Sequence, residues 1–122
     1  MPASQEFADY LVELLTPLGR VTARRMFGGF GLYLDGLTFA IIVDDQLWLK
    51  ADADNRAAFE ALDLPPFTYQ RQGKTATMSY YRAPDDALEA PALLLPWARN
   101  AYAAALRAAA HKTRAKNTGN PD

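Results

Sequence analysis

The sequence contains no cysteine, which excludes disulfides, thiolate nucleophiles and cysteine-ligated metals. It holds a single histidine, His111, beside a basic C-terminal stretch, a poor place for a general base. Thirteen Lys/Arg against fourteen Asp/Glu give a net charge of -1, so no global field of either sign draws the chain to nucleic acid or membrane. No apolar run approaches the roughly 20 residues of a membrane-spanning helix. The opening MPASQEFADY lacks the basic and apolar regions of a signal peptide, and a cytoplasmic location is expected. Also missing are a G-x-S-x-G elbow, EF-hand spacing, and helix-turn-helix or RRM signatures, as is any internal repeat.

What is present reads as one domain. The 122 residues are half hydrophobic, enough to bury roughly two-thirds of the unfolded surface. The expected division is a domain over residues 1–110 and a basic, disordered tail over 111–122. Ser4 suits a helix N-cap, and Phe7, Leu11, Leu14, Leu15 and Leu18 follow at helical spacing, so a helix is expected over about 4–16.

The stretch from Met26 to Lys50 carries the strongest strand signals. Asp35-Gly36 between Leu34 and Leu37 predicts a type I′ hairpin turn. That turn sets a register in which Leu34 faces Leu37, Leu32 faces Phe39, Phe30 faces Ile41 and Gly28 faces Val43, all on one apolar face. The opposite face then pairs Tyr33 with Thr38, Gly31 with Ala40 and Gly29 with Ile42. A loop that includes Gln46 after Asp44-Asp45 sends Leu47 and Leu49 inward and Trp48 and Lys50 outward; a two-residue loop reverses them.

Asp52 suits the N-cap of a second helix with Phe59 and Leu62 on its inner face, ended by Leu64-Pro65-Pro66. A second hairpin turns at Gln72-Gly73 and pairs Tyr69 with Ala76 and Phe67 with Met78. Pro91 suits the first turn of a last helix carrying Leu94, Trp97, Ala98, Ala101, Ala105 and Ala108; Pro96 implies a kink or a restart within it.

Four constellations invite a functional reading. The glycines of Phe27-Gly28-Gly29-Phe30-Gly31 fit neither phosphate-loop spacing and lead into a strand, so they read as a bend at Gly28 and room for a close neighbour at Gly29 and Gly31. The aspartates stand at turns and helix starts, where Asp is locally favoured, rather than as a metal or acid–base set. Arg20, Arg24 and Arg25, with Lys112, Arg114 and Lys116, could contact phosphates; against that stands a solvated edge and a solubilising tail. The sharpest hint is the outward patch of Gly29, Gly31, Tyr33, Ile42 and Trp48. It is either covered by the chain's own helix or an interface to a protein partner or a second copy.

The string Arg24 to Tyr33 (RRMFGGFGLY) resembles the start of the TfoX/Sxy N-terminal domain. Phe39-Ala40, Leu47 to Lys50, Asn55-Arg56 with Phe59-Glu60, Pro66-Phe67 with Tyr69, Met78 to Tyr81 with Pro84, and Trp97-Ala98 resemble the same family in the same order, over roughly residues 5–107. The resemblance implies an α+β fold, a two-layer α-β(3)-α-β(2)-α arrangement with an antiparallel, secretion-chaperone-like sheet. It implies no catalytic residue and no cofactor, and no metal site is expected from the aspartates. The family's best-known members regulate bacterial competence genes with a cyclic-AMP receptor protein, and carry a second, C-terminal domain not found in these 122 residues. The expected function is a non-enzymatic, transcription-related protein-binding module. The competing readings are a nucleic-acid-associated factor working through the basic cluster and tail, and a small-ligand binder or enzyme.

Overall fold

In the computed structural model of the chain, residues 4–26 and 28–118 are described, with side chains as far as Lys112. Helix α1 (Gln5–Leu14) starts where expected: the Ser4 hydroxyl accepts the Phe7 amide at 3.2 Å. Pro17 then opens a short 3-10 helix (Thr16–Leu18), and Gly19 ends it. Four strands follow before the second helix: β1 (Thr22–Met26), β2 (Gly29–Leu34), β3 (Leu37–Val43) and β4 (Gln46–Lys50). After α2 (Arg56–Glu60) come β5 (Pro66–Arg71) and β6 (Lys74–Arg82), a 3-10 helix (Asp85–Glu89) and α3 (Pro91–Thr118). The strands form one antiparallel sheet in the order β1-β2-β3-β4-β6-β5. The chain is thus α+β, with one strand more than expected. Pro96 is accommodated inside a single helix, with no restart.

The added strand is the basic stretch before Met26. Val21 is buried and Ala23 packs against the core, while the alternate residues Thr22 and Arg24 are exposed. Charged side chains on this edge discourage further strand pairing.

The Asp35-Gly36 turn is as predicted, with Leu34 opposite Leu37 and Tyr33 opposite Thr38. Beyond it the register corrects the expected one. A bulge at Phe39 moves Leu32 opposite Ala40, Gly31 opposite Ile41 and Phe30 opposite Ile42. Every later residue of β3 therefore changes face: Ala40 and Ile42 enter the core, and Ile41 turns outward. The Asp44-Asp45 loop has two residues, both left-handed (φ 53° and 57°), and Gln46 pairs with Val43 rather than joining the loop. These two departures cancel. The extra residue lies in the strand, not the loop, so Leu47 and Leu49 still point inward and Trp48 outward.

All three helices contribute to one layer. Leu11, Leu14 and Leu15 of the first helical segment, Phe59 of α2, and Leu94, Leu95, Ala98, Ala101 and Ala105 of α3 bury Leu32, Phe39, Ala40, Ile42, Leu47 and Leu49. The alanines bring α3 close to the sheet, and Tyr102 reaches across to donate to the Leu34 carbonyl at 3.1 Å while its ring meets Phe39 edge-on. Leu62, expected inside, is 55% exposed because α2 ends at Glu60, before its face can carry that residue inward.

Asp52 caps the turn ahead of α2, accepting the amides of Asp54 and Asn55 at 3.0 and 3.2 Å. Asn55, a buried polar residue, accepts the Asp52 amide and donates to the Lys50 and Asn100 carbonyls. It thereby ties the end of β4 to both helices, with its amide satisfied rather than stranded in the core.

Candidate interaction surface

Alternation from the observed register places one continuous row across the outer face: Arg24, Gly31, Ile41, Trp48 and Arg82 lie side by side on five strands. Tyr33, Val43, Lys50 and Tyr80 belong to the same face. Ile41, Trp48, Tyr33 and Tyr80 lie outside the helix-packed core cluster. The helical layer covers the other side.

Most of the expected outward patch is therefore assembled. Gly29, Gly31, Tyr33 and Trp48 share the outer face; Ile42 is the exception, fully buried, and Ile41 takes its place opposite Trp48. The close neighbours of the glycines belong to the chain itself. A Cβ on Gly29 would meet the backbone carbonyl oxygen of Ile42, and one on Gly31 would lie 2.8 Å from Met26 Sδ.

The second hairpin also comes to this face, a placement that its local pattern does not announce. β6 pairs with β4 only from Tyr80 to Arg82, so Lys74–Ser79 and β5 extend as a two-stranded arm. The arm leans over the outer face: Phe67 meets Trp48 edge-on at 5.0 Å between ring centroids, and Tyr69 stacks near Phe67 at 6.4 Å. The Trp48 indole N–H is shielded there, without an acceptor among the described residues. Between arm and sheet lies an apolar groove of about 460 Å3, walled by Met26, Ile41, Val43, Phe67, Tyr69 and Met78. Tyr69 and Met78 are 37% and 39% exposed. The signal for this groove was the alternation Phe67/Tyr69 and Ala76/Met78/Tyr80; its closure against Met26 and Ile41 is tertiary.

The arginine cluster does not converge. Arg24 and Arg25 are neighbours on a strand and point to opposite faces, each over an aromatic ring at 5.0 Å: Arg24 over Tyr33, Arg25 over Phe30. Arg20 is exposed in the loop before β1. Arg114 and Lys116 lie outside the residues whose side chains are described. Burial, with Tyr33 adding to it, pushes the Tyr80 phenol up, so Tyr80 adds no negative charge to the outer face near neutral pH.

A second, polar hollow of about 550 Å3 lies between Asp52, Asp54, Ser79, Arg107 and His111. Its carboxylates serve a clamp. Arg107 Nε and Nη2 donate to the two oxygens of Asp52 at 2.6 and 3.0 Å, and Asp54 lies 3.2 Å from the same guanidinium. Arg107 holds the Asp52 carboxyl below the usual carboxylate range, the wrong direction for a general acid at neutral pH. The linkage has a sign. The depressed pKa adds stability above the unfolded value of about 3.9, and this is lost as pH falls through the folded value. Arg107→Ala should cost about 1 kcal/mol at pH 7, held down because Arg107 is 41% exposed. Urea titrations of both proteins should converge below about pH 4; a gap that persists undiminished at pH 3 contradicts the clamp. Among the described residues no three His, Asp or Glu side chains gather as a metal site, and no helix is long and apolar enough to cross a membrane.

Comparison with known proteins agrees with this architecture. Residues 13–105 match the TfoX N-terminal domain. The chain is 32% identical over 78 residues to DNA transformation protein TfoX1 of Aliivibrio fischeri, covering 64% of this chain and 37% of that protein. It is 35% identical over 72 residues to protein Sxy of Escherichia coli (strain K12), covering 57% of this chain and 34% of that protein. The chain thus spans little more than a third of the length of these relatives. With a match across most of its sequence and the corresponding α+β sheet, the chain belongs to the TfoX N-terminal domain family.

Proposed function

We propose that the chain is a non-enzymatic protein-binding module of a regulatory system, serving DNA transformation or the transcription that governs it. The observation that carries this reading is the outer sheet face. A groove of this size is large enough for a small ligand, but its walls offer no convergent polar groups to orient one. Apolar side chains of another polypeptide suit such walls, and aromatic residues and methionine are enriched at protein interfaces. The name of the A. fischeri relative supplies the process, DNA transformation. Divergence of Arg24 and Arg25 weakens the nucleic-acid reading built on the Arg20, Arg24 and Arg25 cluster, since those side chains are not aimed at one phosphate backbone.

Met78→Glu tests the reading. The side chain is partly exposed, so the fold should survive with its melting temperature changed by less than about 4 °C. Affinity capture from native extract should yield at least one protein retained by the wild-type chain and lost with Met78→Glu. Identical captures by the two, or retention of nucleic acid alone, would overturn it.

A further inference from the structure

The six strands carry Arg24, Arg25, Lys50, Arg71, Lys74 and Arg82 but no Asp or Glu; every acidic residue of the chain lies in a helix, turn, loop or terminus. Aspartate and, less strongly, glutamate and lysine are disfavoured in strands, so the distinguishing feature is the cations that the sheet retains. By alternation five of the six cations, all but Arg25, stand on the outer face. Arg24 neighbours Met26 on one wall of the groove, and Arg71 and Lys74 neighbour Tyr69 on the other. Arg71 and Lys74 have no acidic partner among the described residues. Acidic residues also flank the strands of this face. Asp85 pairs with Arg82, Asp45 accepts the Ser4 amide at 2.7 Å, and Asp44 shares the turn after Val43. A chain that is slightly acidic overall therefore presents an apolar groove flanked, beyond its apolar walls, by strand cations.

Resting on the protein-binding reading above, we propose that the groove docks an acidic amphipathic segment of a different protein, its apolar side chains between Met26, Ile41 and Met78 and its carboxylates on Arg24, Arg71 and Lys74. Charge complementarity selects this partner. A second copy brings Arg24, Lys50, Arg71 and Lys74, none of them ion-paired among the described residues, to face the same four, which like-charge repulsion disfavours. A single-stranded nucleic acid needs free ring faces for its bases, but Tyr33 lies under Arg24, Tyr80 under Lys50, and Trp48 and Phe67 pack on each other.

Photocrosslinking in the chain's own host tests this, with a benzophenone amino acid in place of Met78 and, as a control, in place of Leu106, an exposed residue of α3. Position 78, not 106, should attach to another protein, and the mapped segment should alternate apolar residues with Asp or Glu. Arg71→Glu with Lys74→Glu should lower that yield at least about fivefold with the melting temperature held. A mapped segment without acidic residues, an adduct to a second copy, or a yield unmoved by the double variant overturns the acidic partner and leaves the protein-binding reading standing. An adduct to nucleic acid alone, or no adduct above the control, overturns both.

Discussion

Phe59→Ala is expected to destabilise the domain by about 3–5 kcal/mol, the range for emptying a fully buried aromatic site. Phe59 has no exposed surface and sits where three elements meet. Its ring stacks on Tyr81 of β6 at 5.2 Å and 14°, and tilts against Trp97 of α3 at 5.3 Å and 43°. Such contacts add roughly 0.5–1.5 kcal/mol each beyond area burial. The site has little room to collapse, because α2 is a five-residue helix held at its start by Asp52 and Asn55. The Phe59 carbonyl also accepts the Leu62 and Leu64 amides, which fix the turn leading to β5. Loss of the ring should therefore loosen the arm as well. Phe59→Leu keeps most of the volume and should cost about 1–1.5 kcal/mol. Urea unfolding measures both; a Phe59→Ala loss below about 1.5 kcal/mol refutes the placement of this ring at the centre of the packing.

The arm's dependence on Phe59 shows why the fold was more legible than the surface. Helix caps, turns and alternation are local. Ser4, Asp35-Gly36, Gln72-Gly73 and Pro91 announced their elements because each supplies a backbone geometry that few residues supply. The bulge at Phe39 announced nothing. The residues beyond it, Ala40-Ile41-Ile42-Val43, are apolar on both faces, so sliding one residue costs no polar burial and leaves no mark in the pattern. Both faces of β3 need apolar side chains because one meets α3 and the other the groove. The same ambiguity exchanged Ile41 for Ile42. Strand β1 was hidden by its arginines, which read as a solvated cluster until pairing with β2 gave them ring partners. The groove itself depends on an arm that leaves the sheet after three paired residues, a matter of long-range packing that no local motif records.

Gly29→Ala is the second large effect, expected to cost about 3 kcal/mol, the upper end for overpacking a closed site. Three neighbouring glycines make the argument internal. At Gly29 an added methyl runs into the carbonyl oxygen of Ile42, with its carbon at 3.2 Å and Val43 Cα at 3.6 Å. These are backbone atoms of the paired strand, so the methyl is admitted only if β2 and β3 separate. At Gly31 the nearest atoms are Met26 Sδ at 2.8 Å and Tyr33 Cε1 at 3.0 Å, both on side chains that can rotate; alanine there should cost less than about 1 kcal/mol. At Gly28 there is open space, but φ is 78°, and alanine should cost about 1–2 kcal/mol through the left-handed backbone alone. The predicted order of loss is Gly29, then Gly28, then Gly31, read from urea midpoints at constant slope. Gly29→Ala should also disturb the groove, since it forces apart the strand ends that carry Phe30 and Val43, two of its lining residues. Gly31→Ala shifts only Met26 and Tyr33, so partner capture should persist there at reduced strength. If Gly31→Ala proves more damaging than Gly29→Ala, the close approach lies between side chains on the outer face and the β2–β3 register is refuted.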